Sequence, residues 1–108
     1  MVNDLGSRIE AIVAEDEARL IAIRRDLHAH PETGFDTVRT AAIVADELRA
    51  LGLAPQTGIG ETGFVTEIAG GRPGPVLVLR ADMDALPITE ETGLPFASSV
   101  PGLSLIHI

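Results

Sequence analysis

Residues 75–87 read PVLVLRADMDALP, and this stretch decides the fold that the sequence predicts. Its apolar run, residues 76–79, contains two β-branched valines, which is typical of a strand buried on both faces of a helix-covered sheet. If the strand continues, side-chain alternation places Arg80, Asp82 and Asp84 on one face at its C-terminal end. Ligands and metals commonly bind at that end of such sheets. An ion pair between Arg80 and an aspartate, which would only finish the strand, explains the same spacing equally well.

Two helices are predicted ahead of this strand. Ser7 and Glu10 form a capping-box pattern, and apolar residues then recur at three- and four-residue steps, which indicates a long amphipathic helix. The helix should end near His30, because the residue before Pro31 is pushed out of the α region. A second helix is predicted over about residues 37–51.

The second helix should begin at a cap formed by Asp36 and end at Gly52, which is suited to a left-handed C-cap. A strand is predicted over residues 64–69, and the Gly- and Pro-rich residues 70–75 should connect it tightly to residues 76–79, as in a hairpin. Two helices followed by the first strands of a helix-covered sheet define an α/β fold class. The predicted inner face of the second helix consists of Val38, Ala41, Ala42, Ala45 and Leu48.

Composition restricts the partners that this chain is expected to have. The chain has 108 residues and 45% apolar content, which suits one globular domain. Its net charge of −8 repels phosphate backbones and anionic lipid headgroups, so neither nucleic acid nor a membrane surface is an expected partner. No stretch has the pattern of a signal peptide or a membrane span, and we therefore expect a cytoplasmic protein. Because the sequence contains no Cys, it offers no disulfide and no thiolate ligand.

His28, His30 and Glu32 resemble a metal cluster at first sight. On a helix, however, residues two apart point about 200° from each other around the axis, so the two imidazoles cannot share one ion there. We expect both histidines to be structural, at the negative end of a helix dipole. Glu90 and Glu91 are expected to form a solvated pair in a loop.

The pair Asp82 and Asp84 is compatible with three kinds of chemistry. A phosphatase of the haloacid dehalogenase type uses the first aspartate of such a pair as nucleophile, but it also needs a Lys, which this chain lacks. A glycosyltransferase-like metal site has no other support in the sequence. In a zinc amidohydrolase, a carboxylate beside the metal orients a ligand or tunes a bound water.

Three motifs in the same order resemble the metal-dependent amidohydrolases that include hippurate hydrolases, N-acyl-amino-acid amidohydrolases and the hydrolases of indoleacetyl-amino acid conjugates. The first is RRDLHAHPE at residues 24–32, followed by Gly34 and Phe35. The second is GFV at residues 63–65, and the third is RADMDALPI at residues 80–88, followed by residues 91–96. The resemblance extends from about residue 20 to residue 102.

This resemblance implies part of an aminopeptidase-like catalytic domain that hydrolyses an amide bond in a small N-acyl-amino acid. It also implies a divalent metal, zinc or manganese, and a homodimer when the protein is full length. Asp84 matches the carboxylate that orients a metal ligand. Asp82 is a candidate contributor, although it stands where related peptidases commonly carry a metal-binding His.

The resemblance divides the chain at Gly102. Residues 1–102 match the opening part of the catalytic domain, whereas residues 103–108 form an atypical tail in place of the family's metal-binding motif. The family's metal ligands are therefore expected downstream of Gly102, and we expect residues 1–108 not to include the dimerisation domain. We expect the 108-residue chain to be inactive by itself. The competing interpretation is non-catalytic: a truncated remnant, or a binding module that uses an unpaired sheet edge.

Overall fold

A computed structural model describes residues 2–105 of the chain, with side chains described from residue 4 onwards. Two helices are followed by a small sheet, which confirms the predicted α/β class. The elements are α1 (Val2–Ala29), α2 (Val38–Ala50), β1 (Gln56–Ile59) and β2 (Gly63–Val65).

Helix α1 ends where the sequence predicts and begins earlier than predicted. It ends at Ala29, and the amide of His30 donates a last hydrogen bond to the carbonyl of Leu27 at 3.3 Å before Pro31 turns the chain. The predicted start at the capping box of Ser7 is wrong, because α1 already includes Val2. Asp4 lies in its first turn, where a carboxylate interacts favourably with the positive end of the helix dipole.

Helix α2 begins one residue later than predicted, and it is capped from a different place. Its N-cap residue, Thr37, makes no side-chain capping bond. The Glu32 carboxylate instead accepts hydrogen bonds from the amides of Arg39 at 3.1 Å and Thr40 at 2.6 Å. The prediction that Asp36 caps this helix is therefore wrong. A turn brings Glu32 back over the helix end, and this turn cannot be inferred from local spacing.

The C-terminal end of α2 follows the prediction. Gly52 adopts the left-handed conformation, with φ of +82°, immediately after the last turn. The amide of Leu53 donates to the carbonyl of Leu48 at 3.1 Å, which satisfies one of the carbonyls that a helix end leaves unpaired. Of the predicted inner face, Ala45 is buried, whereas Val38 is 65% exposed.

Strands β1 and β2 form an antiparallel hairpin with an irregularity between Thr57 and Ile59. The connecting turn contains Glu61 at φ of +80°, in the left-handed region. At Gly63 a Cβ atom would lie 2.5 Å from the carbonyl oxygen of Ile59, so glycine is required for this close pairing. The strand predicted over residues 64–69 thus starts one residue earlier and ends at Val65.

The predicted buried strand at residues 76–79 does not form in this structure. Val76, Leu77, Val78 and Leu79 are 88%, 83%, 79% and 89% exposed, and residues 73–84 contain no helix or strand. The hairpin predicted around residues 70–75 is consequently absent too. A central strand needs hydrogen-bonding neighbours on both edges, and the part of the chain that the structure describes provides none beside these residues.

The molecule is elongated, with principal extents of 48 × 32 × 22 Å. Helix α1 is about 42 Å long at 1.5 Å per residue, which accounts for most of the longest dimension. Its first half carries exposed apolar side chains, and an ion pair between Arg19 and Glu47 connects its middle to α2. Among the described helices, none is both long and apolar enough to cross a membrane. The exposed apolar residues of α1 are Leu5, Ile9, Ile12, Val13, Leu20 and Ile21.

The cap at the start of α2 leads to a testable prediction. Glu32→Ala removes the acceptor of two amides and should lower the free energy of unfolding by about 1 kcal/mol. Asp36→Ala, at the residue that the sequence favours as cap, should leave it nearly unchanged. Chemical denaturation of both variants measures the difference, and equal losses would contradict the assignment of the cap to Glu32.

The same cap should depend on pH. Burial raises the pKa of Glu32, but hydrogen bonds from Thr40 and Arg39 outweigh this effect, and the pKa lies below its ordinary value of 4.5. The cap therefore contributes its full stabilisation above the ordinary pKa and loses it as the pH falls through the lowered value. Between those two values, the stability difference between the unsubstituted chain and Glu32→Ala should shrink as acid is added.

The exposure of residues 76–79 can be tested by mutation, because an exposed segment and the buried strand that the sequence predicts should respond differently. Val78→Ala should change the free energy of unfolding by less than about 0.5 kcal/mol, as at other exposed positions. At a position buried on both faces, the same change would cost several times more. Ala45→Asp, which buries an unpaired carboxylate, is the control that shows a large loss in the same assay.

Candidate functional site

Asp82 and Asp84 lie on the wall of one open cavity of about 180 Å³. Three parts of the chain enclose it: the turn after α1, the turn of the hairpin and the segment that carries the two aspartates. The structure therefore places both carboxylates beside the same space, although no strand holds them there. The remaining lining residues are Gly34, Phe35, Thr37, Gly60, Thr62, Gly63, Ala81 and Met83.

The position of Asp84 is fixed through the residue that follows it. The amide of Ala85 donates to the carbonyl of Glu32 at 2.6 Å, and Ala85 forms an isolated parallel bridge with Thr33. Ala85 is only 4% exposed, so the chain is buried there immediately after an exposed aspartate. Glu32 thus holds both the start of α2, through its carboxylate, and the segment of Asp84, through its carbonyl.

Arg80 pairs with Asp82, as one interpretation of the sequence expects. The guanidinium donates from Nε at 3.2 Å and from Nη2 at 3.1 Å to the same carboxylate oxygen. Both side chains are largely in solvent, 86% and 68% exposed, so this pair contributes less than about 1 kcal/mol. The ion pair does orient the Asp82 carboxylate at the edge of the cavity.

A hydrogen bond between two hydroxyl groups joins two of the other lining residues. Thr37 Oγ1 and Thr62 Oγ1 are 2.6 Å apart and share a hydrogen bond. Thr37 is 2% exposed, so this bond fastens the hairpin turn to the first residue before α2. Both threonines use their side chains to shape the cavity.

His28 and His30 do not meet at one site. His28 is buried, and its Nε2 lies 2.5 Å from Glu90 Oε1, whereas His30 Nδ1 donates to the carbonyl of Asp26 at 2.9 Å. Both imidazoles are thus engaged within the protein, as a structural role requires. The expectation that Glu90 is solvated is wrong, because its side chain is only 3% exposed. Its partner lies 62 residues earlier in the chain, and no local pattern distinguishes Glu90 from Glu91.

A tightly bound metal does not fit the described residues alone. Asp82 and Asp84 supply two carboxylates, whereas zinc sites in proteins use three or four nitrogen, sulfur or oxygen ligands. Within residues 2–105, no group of three or more His, Cys, Asp or Glu side chains is arranged to hold an ion. His107 and the rest of the tail from residue 106 lie outside the described residues.

Curated relatives match most of this chain. The N-acyl-L-amino acid amidohydrolase of Geobacillus stearothermophilus is 42% identical over 95 residues, which cover 88% of this chain and 26% of the relative. A protein of Rhodococcus jostii (strain RHA1) named as glutamate–cysteine ligase 2-3 is 52% identical over 89 residues, which cover 82% of this chain but 11% of that protein. The ligase name describes a protein of which the matching segment is a small part. The chain spans about a quarter or less of these relatives.

A solved structure is also similar to most of this chain. The YXEP protein of Bacillus subtilis, described as a dinuclear metal binding peptidase from the M20 family, matches with a TM-score of 0.75 and 45% identity. The match covers 81% of this chain and 25% of that structure. No family model matches the sequence. Over most of its length, this chain is thus similar to an N-acyl-L-amino acid amidohydrolase and to a dinuclear metal binding peptidase of the M20 family, and it corresponds to about a quarter of each.

Proposed function

We propose that the full-length protein carrying this segment hydrolyses the amide bond of small N-acyl-amino acids with the help of a bound divalent metal, zinc or manganese. The relative from Geobacillus stearothermophilus is named for this activity, and the relative of known structure is described as dinuclear. The observation that carries the proposal is the position of Asp84, on an open cavity and directly before a buried, hydrogen-bonded residue.

Arg80, Asp82 and Asp84 have different roles in the proposed reaction. Asp84 is the carboxylate that orients a metal ligand, because its backbone is anchored at Ala85 while its side chain remains at the cavity. Asp82 is a candidate contributor, and Arg80 is its structural partner. The metal ligands themselves would follow Gly102 in the full-length protein, since the described residues do not complete a site.

The remaining parts of the proposal concern the context of the chain. Residues 1–102 would form the opening part of the catalytic domain, and residues 103–108 would not belong to it. A homodimer in the cytoplasm remains the expected state of the full-length protein. We infer that the 108 residues alone are inactive, because within the described residues the cavity offers only the carboxylates of Asp82 and Asp84 to a metal.

One observation supports a second, non-catalytic candidate. Residues 76–79 expose four consecutive apolar side chains, at 79–89% each, and an unpaired apolar segment can add to the sheet of another protein. In that case the chain would act as a binding segment. Hydrolysis by a full-length protein that contains these residues would decide against this candidate.

A chimaeric enzyme tests the role of Asp84. Residues 20–102 of this chain would replace the matching segment of the Geobacillus stearothermophilus amidohydrolase. Asp84→Asn should then lower turnover about 10–100-fold, since loss of such a carboxylate misorients a metal ligand. Circular dichroism should show an unchanged fold, and Asp36→Asn, an exposed carboxylate outside the cavity, is the matched control. Near-normal turnover of the Asp84→Asn chimaera with metal bound would refute the assignment.

Zinc titration tests the inactivity of the chain itself. Calorimetry on residues 1–108 should detect no stoichiometric binding at sub-micromolar zinc, because two carboxylates are too few for a tight site. Hippurate and acetylated amino acids should remain intact when zinc or manganese is added. Tight binding or metal-dependent hydrolysis would show that the chain completes a site by itself.

A further inference from the structure

Two deeply buried titratable side chains of this chain, His28 and Glu90, lie away from the cavity. His28, on the last turn of α1, is 2% exposed, and the Glu90 side chain is 3% exposed. Their Nε2 and Oε1 atoms are 2.5 Å apart, so the imidazole donates a hydrogen bond to the carboxylate. Removing charged groups from water is costly unless they are paired and hydrogen-bonded. Few of the residues that the structure describes are buried, so a buried pair of this kind indicates a specific function for the two side chains.

The Glu90 carboxylate is saturated with hydrogen bonds. Besides His28, its Oε1 accepts from the amide of Ser98 at 3.2 Å and from Ser104 Oγ at 2.9 Å, and its Oε2 accepts from Thr92 Oγ1. The hydrogen bond from Thr92 is the largest of the causes that hold the pKa of Glu90 at about 2. The carboxylate is therefore charged at neutral pH. It accepts hydrogen bonds from the loop that follows it, the last of them from Ser104, 14 positions later.

The same loop is docked onto the end of α1 by further contacts. The amide and the hydroxyl of Ser99 both donate to the carbonyl of Ala29, at 2.9 and 2.6 Å, which satisfies a carbonyl at the end of the helix. The Phe96 ring meets the His28 imidazole edge-on, with centroids 6.0 Å apart. The Arg25 guanidinium lies 4.6 Å from the centre of the Phe96 ring. Arg25, His28 and Ala29, near the end of α1, thus each contact a residue of the loop.

The loop, residues 85–104, begins directly after Asp84 at the proposed site. Ala85 is bonded to Glu32, and Leu86 exchanges two backbone hydrogen bonds with Ser104, at 2.9 and 3.0 Å. The chain after Asp84 is therefore fixed first at Ala85 and again at Glu90. Only residues 85–89 separate Asp84 from Glu90. A movement of the loop away from α1 would therefore displace Asp84 through this short segment.

We propose that His28 and Glu90 are a positioning pair that locks the loop after Asp84 onto the end of α1 and thereby fixes the place of Asp84 at the cavity. The pair touches neither the cavity nor a reacting group, and it acts through the backbone between Glu90 and Ala85. Its effect on catalysis rests on the proposed function, whereas the locking of the loop does not.

Hydrogen exchange of the 108-residue chain tests the locking directly. His28→Gln and Glu90→Gln keep each side chain similar in size and polar, and they remove the hydrogen bond between imidazole and carboxylate. Each should accelerate exchange of the amides of Ala85, Ser98 and Ser99 by about tenfold or more, while the amides of α2 keep their rates. The double variant should exchange no faster than either single variant, because both remove the same interaction.

The chain provides matched controls for both substitutions. Glu91→Gln changes the neighbouring exposed glutamate, and His30→Gln changes an imidazole that lies outside the pair. Neither should alter exchange in the loop. Acceleration that is equal in the loop and in α2 would overturn the proposal, because it would mean that the pair only stabilises the whole fold. Unchanged loop rates in both variants would also overturn it.

The chimaeric enzyme tests the consequence for Asp84. Glu90→Gln should lower kcat with little change in KM, and elemental analysis should show unchanged metal content. A loss of metal would overturn the positioning role, since it would make Glu90 or its partner a ligand. If the unsubstituted chimaera hydrolyses no amide, the proposed function fails, and the exchange experiment still decides whether the pair locks the loop.

Discussion

The unpaired backbone groups at the end of α1 and at the start of α2 are the constraint on which this structure depends. A helix leaves amides without partners at its start and carbonyls without partners at its end, and buried ones must find partners elsewhere. Here the end of α1 and the start of α2 are separated by a short turn, and both are satisfied by groups from outside the helices. Glu32 supplies the acceptor for α2, and Ser99 supplies the donors for α1. Satisfying the two ends therefore brings distant segments of the chain to the turn between α1 and α2.

The sequence predicts those features that a single residue determines locally. Pro31 ends α1 and Gly52 ends α2, because each restricts or permits backbone conformations whatever its surroundings. Features that depend on distant partners could not be predicted in the same way. Glu90 resembles its exposed neighbour Glu91 in sequence, and its burial depends on contacts with the distant His28 and with donors up to Ser104. The cap at α2 likewise depends on a turn that returns Glu32 to the helix.

Residues 76–79 illustrate the opposite case, in which a strong local pattern is not realised. Four alternating valines and leucines favour a strand, but a strand is stable only when its amides and carbonyls are paired on at least one edge. The two strands that the structure describes pair with each other and leave none for these residues. The candidate site nevertheless includes Asp82 and Asp84, because the anchor at Ala85 positions them without a strand. Of the candidate site, the sequence identifies the two carboxylates, and the fold adds their support.

The elongated shape of the molecule affects how it moves in solution. A compact chain of this length would have a radius of gyration of about 13 Å, whereas the observed value is 16.6 Å. The 28 residues of helix α1 span about 42 Å, which is close to the longest extent of 48 Å. Rotation about the long axis is consequently faster than end-over-end rotation. N–H bonds that lie along the long axis are reoriented only by the slower motion, so the tumbling of this chain is expected to be anisotropic.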